Sequence, residues 1–206
     1  RRRRVIHEDV RDLENVQEIT LMELLARELP RRVGSPLSIN ALRDSLSVTH
    51  ATVSRWVSIL EHMYYCFRIP PHGGTRFRAV RKQQKLYMWD WSLVQEEGPR
   101  FENMVACHLL KLCHYIQDTQ GCEMELRYLR DTEGHEVDFV VIRDGRAMFA
   151  VECKRTNKGL DASIPYFHQR TDIETFYQVH LAEHDYVKQG FRVLPITAFC
   201  RVVGLV

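Results

Sequence analysis

The chain has 206 residues, enough for one large or two small domains, and is 45% hydrophobic and 27% charged, a composition that excludes a disordered polymer. Its net charge of +2 excludes a uniform polycation. No apolar run reaches the length of a membrane span and no signal peptide is evident, so a cytoplasmic protein is expected. Cys66, Cys107, Cys113, Cys122, Cys153 and Cys200 form no C-x-x-C pair, which fits reduced thiols in that compartment. The start, Arg1-Arg2-Arg3-Arg4 without a Met, suggests a piece of something longer, with residues 1–12 as a junction.

In chain order, Leu13 to Leu29 carries apolar residues at helical spacing, and Pro30 stops the run. Ser35-Pro36-Leu37-Ser38 starts a second helix through Ile39, Leu42 and Leu46. Ser47-Val48 is a turn, and Thr49 caps a third helix through Val53, Val57, Leu60 and Met63. Two short helices joined by a tight turn make a helix-turn-helix pattern. Strands are expected over Tyr64–Ile69, Arg76–Val80 and Lys85–Trp89, with the loop Pro70–Gly74 between the first two. Helices followed by a hairpin predict a winged-helix domain over residues 13–91. Its wing is basic: Arg68, Arg76, Arg78, Arg81, Lys82 and Lys85 share a window without one acid.

The polar stretch Ser92–Pro99 is the expected boundary, and 99–206 the second domain. A helix is predicted from about Arg100 to Gln117. Strands follow at Glu123–Arg130, His135–Arg143 and Arg146–Lys154, with turns at Asp131–Gly134 and Asp144-Gly145. A helix near Ala162–Arg170, a strand near Thr175–Leu181 and an apolar end over Phe191–Val206 complete an α/β unit of order α-β-β-β-α-β. The apolar end adds a helix or an edge strand.

Chemistry concentrates in Glu136-Val137-Asp138-Phe139 and Val151-Glu152-Cys153-Lys154. Alternation puts Glu152 and Lys154 on one strand face and Cys153, a core thiol, on the other. A three-residue loop centred on Gly145 sets Asp138 directly across from Glu152. Two facing carboxylates in an apolar sheet repel, and a divalent cation between them relieves the penalty. The plainer alternative is a surface salt bridge of Glu152 with Lys154, which contributes little.

This order, with an acid on the second strand and E-x-K on the third, resembles the PD-(D/E)XK (restriction-endonuclease-like) nuclease fold. The resemblance implies Asp138 and Glu152 as ligands of Mg²⁺ or Mn²⁺, Lys154 as the partner of the attacking water or the charged phosphate, and Glu102 in Phe101-Glu102-Asn103 as an outer ligand or proton acceptor. A narrower resemblance rests on Glu8-Asp9-Val10, Thr52–Val57 with Leu60-Glu61, Lys85–Asp90, Arg100–Asn103, Glu136–Phe139 and Val151–Lys154. Together they resemble the C-terminal region of a prokaryotic AAA-type P-loop ATPase family, in which a winged helix precedes the domain of unknown function numbered 4143. The chain carries no G-x-x-x-x-G-K-[ST] loop, so ATP binding is not assigned to these residues, and the ATPase module is an expected partner in the same polypeptide.

DNA is the expected ligand, through Arg55 on the third helix, the wing residues Arg76, Arg78, Arg81 and Lys82, and Arg155 beyond the E-x-K motif. Lys158 shares that last stretch. The competing reading is a non-catalytic module that docks a protein or tethers the ATPase to DNA. Cys107-His108 and Cys113-His114 invite a zinc reading, but their spacing is not that of a zinc finger. Trp56, Trp89 and Trp91 are expected in the core, and His168 and Gln169 beside the site.

Overall fold

A computed structural model describes residues 19–73, 83–157 and 159–205. They divide into two compact units, one of residues 19–68 with 83–96 and one of 69–73 with 97–205.

In the first unit, α1 (Ile19–Glu28) buries Met22, Leu25 and Ala26, and Pro30 converts its end into a 3-10 turn over Leu29–Arg32. α2 (Ile39–Leu46) starts at Ser38, whose hydroxyl accepts the Ala41 N–H, and stops at Ser47 in the left-handed region, φ 53°. α3 (His50–His62) starts the same way: Thr49 accepts the Thr52 N–H. β1 (Cys66–Ile69) and β2 (Lys85–Met88) form a two-stranded sheet on which Phe67 stacks against Tyr87. The start of the expected first helix and the expected strand Arg76–Val80 lie outside the described residues. Trp56 is buried, but Trp91 departs from the core expectation: it sits in a 3-10 turn capped by Asp90 and is exposed.

The second unit is a six-stranded mixed sheet with helices. α4 (Glu97–Gln120) precedes β3 (Met124–Arg130), β4 (Glu136–Arg143) and β5 (Arg146–Lys154), an antiparallel meander. α5 (Ser163–His168) then leads to β6 (Phe176–His180), which pairs parallel to β5. β7 (Tyr186–Lys188), β8 (Phe191–Pro195) and α6 (Ile196–Val203) end the unit. The spatial order is β3-β4-β5-β6-β8-β7. The apolar end therefore supplies an interior strand and a helix, and the edge is β7, which at three residues is too short to read from periodicity.

Strand alternation sorts the core into two faces. Val140, Ile142, Ala150 and Phe176 pack with Ile164 and Phe167 of α5. Phe149 and Tyr177 on the other face meet Phe199 of α6 edge-on. Phe167 is fully buried, worth about 2–3 kcal/mol in removed apolar surface. The α5 face turns polar at one end, and this change of character positions the candidate site.

Candidate metal centre

The site is set by the β4–β5 hairpin. Asp144 and Gly145 have φ of 49° and 75°, and Arg143 pairs with Arg146, so the turn is a two-residue type I′ turn, not the expected three-residue loop. Ile142 pairs with Ala147 but Val141 pairs with Phe149, leaving Met148 as the extra residue of a β-bulge. The bulge shifts the register by one, to the value a three-residue loop would have produced. The last ladder pair is Phe139 with Val151, so Asp138 falls opposite Glu152.

Both acids are buried, Asp138 at 7% and Glu152 at 5% exposure. Each takes a backbone donor from the other's strand: Glu152 Oε2 accepts the Asp138 N–H at 3.3 Å, and Asp138 Oδ2 accepts the Cys153 N–H at 2.9 Å. Lys154 Nζ lies 2.7 Å from Glu152 Oε1 and 2.8 Å from Asp161 Oδ2. Burial, then the neighbouring Asp138 charge, push the Glu152 carboxyl well above the usual range, against the pull of Lys154. Burial works against the Lys154 charge but is outweighed by Glu152 and Asp161, so the ammonium is held above its ordinary value. Asp161 is held low: the Lys154 ammonium and the Ser163 N–H outweigh its burial. Two carboxyls, Glu152 and Asp161, thus share one ammonium, and of the two Glu152 is the one that resists ionising.

Three polar residues here belong to no sequence motif. Asp161 lies beyond the E-x-K motif in an irregular loop. Gln178 is in register with Glu152 on β6, and His180 with Lys154. All share the α5 face. Gln178 is fully buried, accepting the Asp161 N–H and donating to the Gly159 carbonyl, both at 2.7 Å. His180 is also fully buried, and neither ring nitrogen has a hydrogen-bond partner among the described residues. A polar residue inside an otherwise apolar strand was the available clue.

The other expected residues fall as follows. Glu102 is half-buried in the second turn of α4. It does not join Asp138 and Glu152 in a ready-made group. Among the described residues, the one trio of acidic, His or Cys side chains with ligand atoms within 4.8 Å of one another is Asp131, Glu133 and His135. Asp131 in that trio is already well bonded: it accepts from the Glu133 and His135 N–H groups, the His135 ring and the Tyr166 hydroxyl. Cys153 is half-buried, not a core thiol; it lies near the end of β5, beyond the last ladder pair with β4. Cys107, His108, Cys113 and His114 form no such trio, and burial pushes the Cys113 thiol up to about 12, that of an inert core group. His168 is not beside the site: its ring packs edge-on against Phe176 and Phe191. Gln169 follows it, exposed.

Arg155 is ion-paired with Glu97. Arg55 is exposed on α3, on a face with His50, Ser54, Ser58 and His62. Arg76, Arg78, Arg81, Lys82 and Lys158 lie outside the described residues. A cavity of about 630 Å³ opens at the opposite end of the sheet, lined by Gly145, Arg146, Arg170 and Asp172 among others, and no carboxyl of the site lines it.

The family profile of DUF4143, a domain of unknown function, matches residues 97–199, half of the chain. The chain belongs to the DUF4143 family. Its profile runs from α4 into the first half of α6 and so contains the whole candidate site of this DUF4143 unit. A second profile, DUF8612, also a domain of unknown function, matches residues 2–96. No curated protein and no solved structure matches the chain. No helix among the described residues is long and apolar enough to cross a membrane.

Proposed function

We propose that this chain is the DNA-binding, metal-dependent phosphodiester-hydrolase region of an AAA-type ATPase, with a winged helix ahead of a PD-(D/E)XK nuclease-like DUF4143 domain. One observation carries the reading: Asp138 faces Glu152 in a buried sheet end with Lys154 alongside, and Glu152 is driven toward its protonated form. Two carboxylates that face each other in a buried sheet repel, and a cation between them relieves that cost. The donors are hard oxygens, which fit Mg²⁺ or Mn²⁺. Such an ion would supply charge stabilisation for a phosphate and a more acidic water.

The chain's own groups divide the remaining work. Asp138 and Glu152 hold the ion. Lys154, still charged at neutral pH, is placed to attract a phosphate oxygen or orient the attacking water. Arg55, the basic residues Arg76, Arg78, Arg81 and Lys82, and Arg155 one residue beyond Lys154 supply phosphate contacts for duplex DNA.

A second reading is a non-catalytic docking module of the same ATPase family. It is favoured by the closure of Lys154 on both Glu152 and Asp161, a complete ion triad in itself. The test is incubation with plasmid, linear duplex and single-stranded DNA in Mg²⁺ or Mn²⁺ beside Lys154→Ala, with metal binding followed by calorimetry. Metal-dependent cleavage lost in the variant is the expected result. Absence of both cleavage and metal binding would establish the docking module instead.

A further inference from the structure

Lys154 has a flexible four-carbon stem and its side chain is 40% exposed, so its position depends on what holds the ammonium. One holder, Glu152, is also a ligand of the proposed ion. If the Glu152 carboxylate held a divalent cation, Lys154 would lose that acceptor and meet a like charge beside it.

The second holder is built differently. Asp161 Oδ2 is 2.8 Å from Lys154 Nζ, while Oδ1 accepts the Ser163 N–H at 2.8 Å at the start of α5. Its backbone N–H is fixed by Gln178, whose amide also ties down Gly159. Gln178 is fully buried on β6, and these two bonds of its amide go to one loop. A buried amide costs free energy unless its bonds are made, and these two bonds serve to fix the loop that carries Asp161. Among the described residues Asp161 forms no trio of close ligand atoms with Asp138 and Glu152, and its two oxygens are taken by the Lys154 ammonium and the Ser163 N–H.

We propose that Asp161, held by Gln178, is the positioning residue that keeps Lys154 in the site when a divalent cation occupies Asp138 and Glu152. The inference rests on the metal-centre reading and adds to it a division of labour: Glu152 is exchanged between ammonium and ion, and Asp161 is not. A charge placed only to favour the cation would act equally whether or not Lys154 is present. A positioning residue acts through Lys154.

The test uses the whole chain as wild type, Asp161→Asn, Lys154→Met and the double variant. Asn keeps an acceptor for Ser163, so the fold is expected to persist. Mg²⁺ affinity is measured by calorimetry, and the Lys154 ammonium is followed by its ¹H–¹⁵N signal, identified by its absence in Lys154→Met. The expected result is a wild-type signal that survives Mg²⁺ and an Asp161→Asn signal present in EDTA but lost in Mg²⁺. Asp161→Asn should weaken Mg²⁺ binding about tenfold with Lys154 present and far less in the Lys154→Met background. Gln178→Met, which frees the loop with Asp161 intact, should reproduce the signal loss. A signal that survives Mg²⁺ in Asp161→Asn, or equal affinity losses in both backgrounds, overturns this inference while leaving the metal centre standing. No Mg²⁺ binding by wild type overturns both.

Discussion

The Asp138 backbone N–H donates to Glu152 Oε2 while Asp138 Oδ2 accepts the Cys153 N–H, so the two carboxylates close the end of the β4–β5 ladder in place of main-chain bonds. Each acid is thus a structural acceptor as well as a charge. Asn at position 138 retains an acceptor and removes the repulsion; Ala removes both. Asp138→Asn is therefore expected to match or exceed wild-type stability in EDTA at neutral pH, while Asp138→Ala loses about 1–3 kcal/mol from the unpaired Cys153 N–H. Both should lose Mg²⁺ binding. Denaturant melts with calorimetry check this, and an equal loss in the two variants would show that repulsion at the pair is negligible.

Glu152 gives the site a pH signature. Its carboxyl is raised in the fold, first by burial and then by Asp138. A raised folded value means that the folded state holds the proton more tightly than the unfolded chain. The stabilisation is therefore full below the ordinary glutamate range and is lost as pH climbs through the folded value. Glu152→Gln cannot titrate. The stability difference, Glu152→Gln minus wild type, should grow more positive from about pH 5 to about pH 8 in EDTA. Asp161, held low, loses its contribution at the acid end in both proteins and cancels in the difference. Thermal melts across that window test it, and a flat difference would mean that Glu152 is ionised throughout.

Much of this was legible in the sequence because apolar alternation reports strands directly. The three strands of the meander, the helix before them and the facing of Asp138 with Glu152 all follow from periodicity and turn residues. The register came out right by a different route, since a two-residue turn plus a bulge equals a three-residue loop in phase. Asp161 and His180 escaped because their role depends on where β6 lies, and parallel pairing across a crossover leaves no local mark. Gln178 was visible as an odd residue in an apolar strand but had no motif. β7 escaped because three residues cannot show a period.

The DNA-binding half of the proposal has its own test. Arg55 is exposed on α3, in a face whose neighbours bond back to their own helix: Ser58 to the Ser54 carbonyl and His62 to the Ser58 carbonyl. A phosphate contact by Arg55 would be read as salt dependence. Arg55→Ala should weaken duplex binding at all sequences alike and reduce the slope of log affinity against log salt by about one. Fluorescence anisotropy over a salt series measures both. An unchanged slope would turn α3 into a protein-docking face.

The bulge at Met148 makes the last prediction, because it separates register from length. Deleting Met148 lets Phe149 follow Ala147 and pair with Val141 in an unbroken ladder, so Glu152 still meets Asp138. Mg²⁺ binding should survive. Deleting Ala150 instead removes a residue beyond the bulge, moves Glu152 opposite Phe139 and turns its carboxyl to the α6 face of the sheet. That variant should lose Mg²⁺ binding even where circular dichroism shows a cooperative melt. Survival in the second deletion, or loss in the first with the fold intact, would mean that the pairing of Asp138 with Glu152 is not what binds the ion.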